Sequence, residues 1–395
     1  MNRRELASRL FRGACCCVLF FVAASASFNG YYDKWHFREP GVYAGANPIQ
    51  GAETKFSLAD MLDGTAARPY VYRQLIPAIA NWLDSMTPEW NKGALSRLFS
   101  RYQLASSLAV DPRYSFRYTA VYLITFLFAW LSVVAMYLVC RALEMPPVAR
   151  FFAPVAMILL VPYILSVGGY FYDYPELAFM ALAVWMGLEF DWWWMLPLVA
   201  LATWNKESFL LVTLTLYPIL RKRHSRISSL VGTGFLASTC AAVYLAISSH
   251  FSQNAGGSVL VKWRKQLEFL LHPANFFKLE QTYGITHFRV FSLVPLALIV
   301  WIVWRGWRLL PPEIRRHGQI AAAINIPLFF LFCAPGEMRD LSMLYVVFML
   351  LLAVNLAAEI KKSDPCIPAV VPRQKQESLN LQDQCATSAL QESKL

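Results

Sequence analysis

The charges in this chain are sorted by connection. Long apolar runs alternate with short polar links. One set of links is basic, Arg221 to Arg226 and Arg305 to Arg316. The alternate set carries acids: Asp173 and Glu176, Lys206 with Glu207, and Glu337, Arg339 and Asp340. Connections rich in Lys and Arg stay on the cytoplasmic side of a membrane, so the acid-bearing links are expected together on the opposite, outer face. This sorting leaves few architectures. The expected fold is all-α, a polytopic α-helical membrane protein of about ten transmembrane helices with interfacial helices in its long outer loops.

Composition agrees. Hydrophobic residues are 57% of the 395 and charged residues 15%, against about 25% charged in a soluble domain. The net charge of +11 is spread over both termini, the basic links and one large loop. Orientation and lipid headgroups account for it, and nucleic acid is not expected as a partner. The eight cysteines show no CxxC spacing, and those in apolar runs read as small hydrophobes. The six histidines form no HxxxH or HExxH, and no P-loop or Gly-rich nucleotide fingerprint is present. No metal and no cofactor is expected.

The layout follows from the runs. Residues 1–12 form a cytoplasmic N-terminus, 13–358 a single membrane domain and 359–395 a polar, disordered cytoplasmic tail. Arg3, Arg4, Arg9 and Arg12 precede the first helix, which is expected to stay uncleaved. Residues 29–116 make a first outer loop with two amphipathic helices, Tyr70–Leu83 and Leu98–Val110, lying on the leaflet. Further spans are expected at 118–140, 151–169, 176–190, 192–205, 207–220, 227–248, 285–304, 318–334 and 341–358. The pair 176–190 and 192–205 is short. It reads as two full crossings with Trp192–Trp194 as an interfacial belt, or as a re-entrant hairpin turning at Asp191. A second large outer loop occupies 249–284.

Several residues stand out within this frame. Asp33 is the first acid after helix one, and an external carboxylate there is able to act as a general base; the plainer reading is a solvated Asp beside Lys34. Arg68, Tyr72 and Arg73 sit at a helix start, where arginine holds phosphate with two hydrogen bonds or simply snorkels. Asp173 and Glu176 open a helix, which the dipole favours without further function. Lys206 and Glu207 lie between two apolar runs with almost no loop, where ionisable groups face a cavity or each other. Glu337 and Arg339 repeat the pattern. Lys262 and Arg264 edge an amphipathic stretch, residues 259–271, suited to a lipid pyrophosphate or to anionic headgroups.

Five short motifs carry a resemblance: Asp33 after the first helix, Pro69–Pro77, Tyr172–Glu176, Asn205–Ser208 and Gly336–Asp340. The arrangement resembles the multi-span glycosyltransferases of the GT-C superfamily and the uncharacterised bacterial membrane proteins of that layout. The resemblance implies a polyprenyl-phosphate-linked sugar donor, a site on the outer face and a catalytic aspartate in the first outer loop, which falls on Asp33. It also implies a bacterial inner-membrane location; the basic links place both termini in the cytoplasm. Two other classes stay open. A lipid or oligosaccharide transporter or flippase uses the same intramembrane charges to bind and release. A non-catalytic subunit of a cell-envelope polysaccharide assembly needs only interfaces.

Overall fold

The computed structural model describes residues 3–35, 57–100, 107–165, 168–257 and 261–363. The expected disordered tail and the middle of the first outer loop lie outside these residues. The described chain is mostly helical, with one short β-hairpin. Helix α1 (Arg3–Tyr32) is followed by the short α2 (Leu58–Leu62), α3 (Leu75–Met86), α4 (Glu89–Ser100) and α5 (Ser107–Val110). Then come α6 (Ser115–Ala142), α7 (Pro147–Ile164), α8 (Asp173–Glu189), α9 (Leu196–Asn205), α10 (Phe209–Thr215), α11 (Tyr217–Leu220) and α12 (Arg226–His250). The chain ends through α13 (Trp263–Leu271), strands β1 (Leu279–Thr282) and β2 (Ile285–Phe288), α14 (Leu293–Gly306), α15 (Pro312–Phe332) and α16 (Tyr345–Ser363).

Five helical segments among the described residues are long and apolar enough to cross a membrane: Gly13–Tyr32, Ser115–Ala142, Pro147–Ile164, Arg226–His250 and Met338–Lys362. By that measure the expected count of about ten is not reached, and the reason is length and charge. Helix α9 has 10 residues and α14 has 14, about 15 and 21 Å against a hydrocarbon core of about 30 Å. Helix α15 has 21 residues but opens on Glu313, Arg315 and Arg316. The span expected at 285–304 is also corrected. Its first residues are β2, paired antiparallel with β1, and the helix starts only at Leu293.

Two expected interfacial helices change as well. Tyr70–Tyr72 is a separate 3-10 turn, and α3 begins at Leu75. Pro77 therefore falls in the first turn of α3, where its missing N–H costs nothing. Leu75, Ile76 and Ala80 are buried, and α3 packs against α6 rather than only resting on a leaflet. Of the stretch expected as Leu98–Val110, the described parts are the end of α4 and α5.

Packing brings the acid-bearing turns to one end of the bundle. Helix α6 lies along α8, α1 along α6 and α7, and α16 along α7. The last turn of α1 meets the start of α6 through Tyr32 and Tyr118, 2.8 Å between hydroxyls. Past α1 the chain pairs with the segment before α8, where Gly169 N donates to Lys34 O at 2.8 Å. The basic links gather away from these turns and carry their own pairs: Lys222 with Glu313 at 3.1 Å, His224 facing Asp191 at 3.7 Å, and Arg305 with Glu359. Trp193 and Trp194 stack on each other at 4.3 Å and are exposed, as an interfacial belt requires.

Candidate functional site

The site is built around the turn before α8. Four carbonyls in this turn and at the start of α8 are taken by side chains from three other helices. Tyr31 of α1 donates to Tyr170 O, Thr125 of α6 to Phe171 O at 3.3 Å, Asn205 of α9 to Tyr172 O at 3.1 Å, and Ser132 of α6 to Tyr174 O at 3.1 Å. Buried carbonyls need such partners where no ladder supplies them. The side chain of Asp173 accepts from Tyr170 N at 2.8 Å and closes the turn locally.

On this base stands a stack of alternating cations and rings. The Arg73 guanidinium lies 4.4 Å from the Tyr172 ring, the Tyr172 and Tyr170 rings stack at 5.2 Å, and Arg339 lies 4.0 Å from Tyr170. Cations over aromatic faces are favoured, more so when desolvated. Burial pushes the Tyr170 and Tyr172 hydroxyls well above the usual tyrosine range, so both stay protonated.

Each cation in the stack also has an acid. Arg73 holds Glu207 with two bonds, Nη2 to Oε1 at 3.1 Å and Nε to Oε2 at 3.4 Å, and donates from Nη1 to the Tyr172 hydroxyl. Burial pushes the Glu207 carboxyl up, but Arg73 and its hydrogen bond outweigh burial and hold it below the usual carboxylate range. Arg339 donates to Glu337 and lies 3.5 Å from Asp173 Oδ1. Lys206 Nζ meets Glu176 Oε2 at 2.7 Å, and the other oxygen of Glu176 accepts from Ser342 at 2.8 Å and Ser208 at 3.4 Å. Lys206 and Glu176 are both buried.

Asp340 is the exception. It lies in the field of Arg339, Lys206 and Arg73, yet has no ion pair within 4 Å among the described residues. Two buried amide oxygens nearby lack a hydrogen-bond partner. Asn205 Oδ1 belongs to the residue that holds Tyr172 O, and Asn325 Oδ1 to the residue whose Nδ2 donates to Asp340 O at 2.8 Å.

Seven of the expected site residues meet here: Arg73, Asp173, Glu176, Lys206, Glu207, Glu337 and Arg339. Five do not join the ion-pair network. Arg68 is spent on the loop after α12, donating to Gly256 O. Tyr72 packs edge-on against Tyr244 at 5.9 Å. Lys262 and Arg264 are on and beside α13. Asp33 is exposed in the turn that ends α1, with no ion pair among the described residues. Its neighbour Lys34 is engaged, with Glu280 at 3.3 Å. Sequence reasoning gave no role to Tyr31, Asn325 and Ser342, neutral residues, and named Asn205 only as the start of the Asn205–Ser208 motif. It named Asp340 without choosing it; the signal was its place in the same turn as Glu337 and Arg339.

The donors and acceptors left over define what the site is able to hold. Ionised, Arg73, Lys206 and Arg339 bring three positive charges, and Asp173, Glu176, Glu207, Glu337 and Asp340 bring five negative ones, a surplus of two negative charges. Such a centre favours a ligand that donates hydrogen bonds over an anion. No group of three or more His, Cys, Asp and Glu side chains among the described residues is placed to cage a metal.

No protein-family model, no curated protein and no solved structure matches this chain.

Proposed function

We propose that this centre receives the hydroxyl-rich head of a membrane-borne, lipid-linked sugar, and that the protein transfers that sugar as the GT-C glycosyltransferases do. The surplus of acceptors in the Tyr170–Asp340 cluster supports the reading. Carboxylates and unpaired amide oxygens accept from sugar hydroxyls, and the Tyr170–Tyr172 stack offers flat apolar area beside them. The same surplus argues against seating a donor phosphate within the cluster, so Arg73 is a brace for Glu207 in this reading and not the phosphate holder. Asp33 remains the proposed general base, open to an acceptor at the same end of the bundle. In the proposed arrangement the shorter helices complete further crossings beside the five long ones, the cluster faces outward, and both termini are in the cytoplasm of a bacterial inner membrane.

The second reading, a transporter or flippase, is favoured by one observation. Two unneutralised negative charges at membrane depth are costly, and a coupling proton offsets them. Purified protein in liposomes carrying a polyprenyl-phosphate sugar and an acceptor separates the readings. Transfer that drops about 10²–10⁴-fold in Asp33→Asn, with donor binding kept, supports glycosyl transfer with Asp33 as base. Transfer unchanged in Asp33→Asn but lost in Asp340→Asn moves the base to Asp340. Movement of the intact donor across the bilayer, with no transfer by wild type, overturns the enzyme reading.

A further inference from the structure

Helix α13 turns a polar residue inward and large apolar ones outward. Its polar Gln266 is buried and donates to Phe329 O of α15 at 3.5 Å, and Lys262 N, just before the helix, donates to Leu331 O at 2.6 Å. Three of its five apolar residues face away, Trp263 at 48% exposed, Leu267 at 48% and Leu271 at 70%, while Phe269 and Leu270 are half-buried. A surface helix in water turns its apolar stripe to the core, so three outward apolar side chains beside the exposed Arg264, Lys265 and Glu268 fit the boundary between lipid and water. Apolar exposure continues along the next segment, through Phe277, Leu279 and Ile285. Four basic residues, Lys262, Arg264, Lys265 and Lys278, flank this surface against one acid, Glu268, leaving three positive charges over residues 262–278.

Helix α13 also touches the site. The Phe269 ring comes within 3.0 Å of where a Cβ on Gly336 would lie. Gly336 has φ +75° and begins the turn that carries Glu337, Arg339 and Asp340. The helix therefore lies directly over one wall of the cluster.

We infer that α13 and the hairpin after it dock into the leaflet at the cluster end of the bundle, with Lys262, Arg264, Lys265 and Lys278 on anionic lipid headgroups, and that this docking holds the 336–340 turn in place. A bilayer fits better than a protein partner because the apolar and basic residues lie along one edge of a chain already built to sit in a membrane. The inference does not depend on sugar transfer.

The test compares full-length protein in nanodiscs of neutral phosphatidylcholine with nanodiscs that also contain phosphatidylglycerol. The readout is amide exchange over residues 263–271 and 336–341. Anionic lipid is expected to protect both segments, by roughly fivefold for each charge near the surface. Lys262→Gln/Arg264→Gln/Lys265→Gln is expected to lose that gain while exchange in α6 and α8 stays at the wild-type level. Brominated lipid is expected to quench wild-type fluorescence more than that of Trp263→Phe. Three results would each overturn the inference: equal exchange in both lipids, equal protection in neutral discs by soluble inorganic pyrophosphate, or protection that appears only as protein concentration rises. The second would mark a phosphate site, and the third an interface between copies.

Discussion

Glu176 carries more of the site's order than its place in the chain suggests. It is buried, accepts from Lys206 and two serines, and joins α8, the α9–α10 turn and the start of the last helical segment. Removing one partner of a buried pair leaves the other charge without compensation, which costs about 3–5 kcal/mol, whereas removing both is far milder. Glu176→Ala is therefore expected to destabilise the detergent-solubilised protein by about 3 kcal/mol, and Glu176→Gln with Lys206→Met to recover more than half of that. Chemical unfolding of the three proteins measures it, and a Glu176→Ala variant as stable as wild type would contradict the pairing. The residue types of the cluster were legible beforehand because ionisable side chains between apolar runs are rare. Their partners were not. Arg73 pairs with Glu207 across 134 positions and Glu176 bonds Ser342 across 166, and local spacing carries no information at that range.

Among the elements, the β1–β2 hairpin shows how a loop becomes part of the bundle. Glu280 holds Lys34 at 3.3 Å and faces Arg289 at 3.7 Å, while Tyr283 donates to Leu159 O of α7 at 3.1 Å. The Tyr283 ring lies against Gly30 of α1, so close that a Cβ there would sit 2.6 Å from it. Gly30→Ala would gain about 0.5–1 kcal/mol of helix propensity in α1, yet the new methyl must push the ring aside. Amide exchange in residues 279–288 is expected to speed up in Gly30→Ala while exchange in α1 does not. An unchanged hairpin would mean that the ring swings clear without releasing it. The sequence read this region as a loop up to 284 followed by a span over 285–304, although the continuous apolar run starts only at Leu293. Neither strand, Leu279–Thr282 or Ile285–Phe288, alternates apolar and polar residues, so the period-2 signal is missing.

For the molecule as a whole, the alternation of basic and acid-bearing links becomes a separation between two ends. Cysteine labelling checks which end is outside. In a background with all eight cysteines replaced, Ser252→Cys stands on an exposed loop at the cluster end and Arg223→Cys on an exposed basic link. A membrane-impermeant thiol reagent on intact cells is expected to label the first and spare the second. The reverse pattern would place the cluster in the cytoplasm. The sequence alone was enough for the class, the helical content and the sorting of the turns. All three follow from local hydrophobicity and charge, summed over segments long enough to meet a bilayer. Only the tertiary structure decided which helices reach full spanning length, that Asp33 stays outside the ion-pair network, and that Asp340 is the cluster acid with no ion pair within 4 Å among the described residues. Those outcomes depend on where each helix stops and which turns are packed side by side, contacts between positions far apart in the chain.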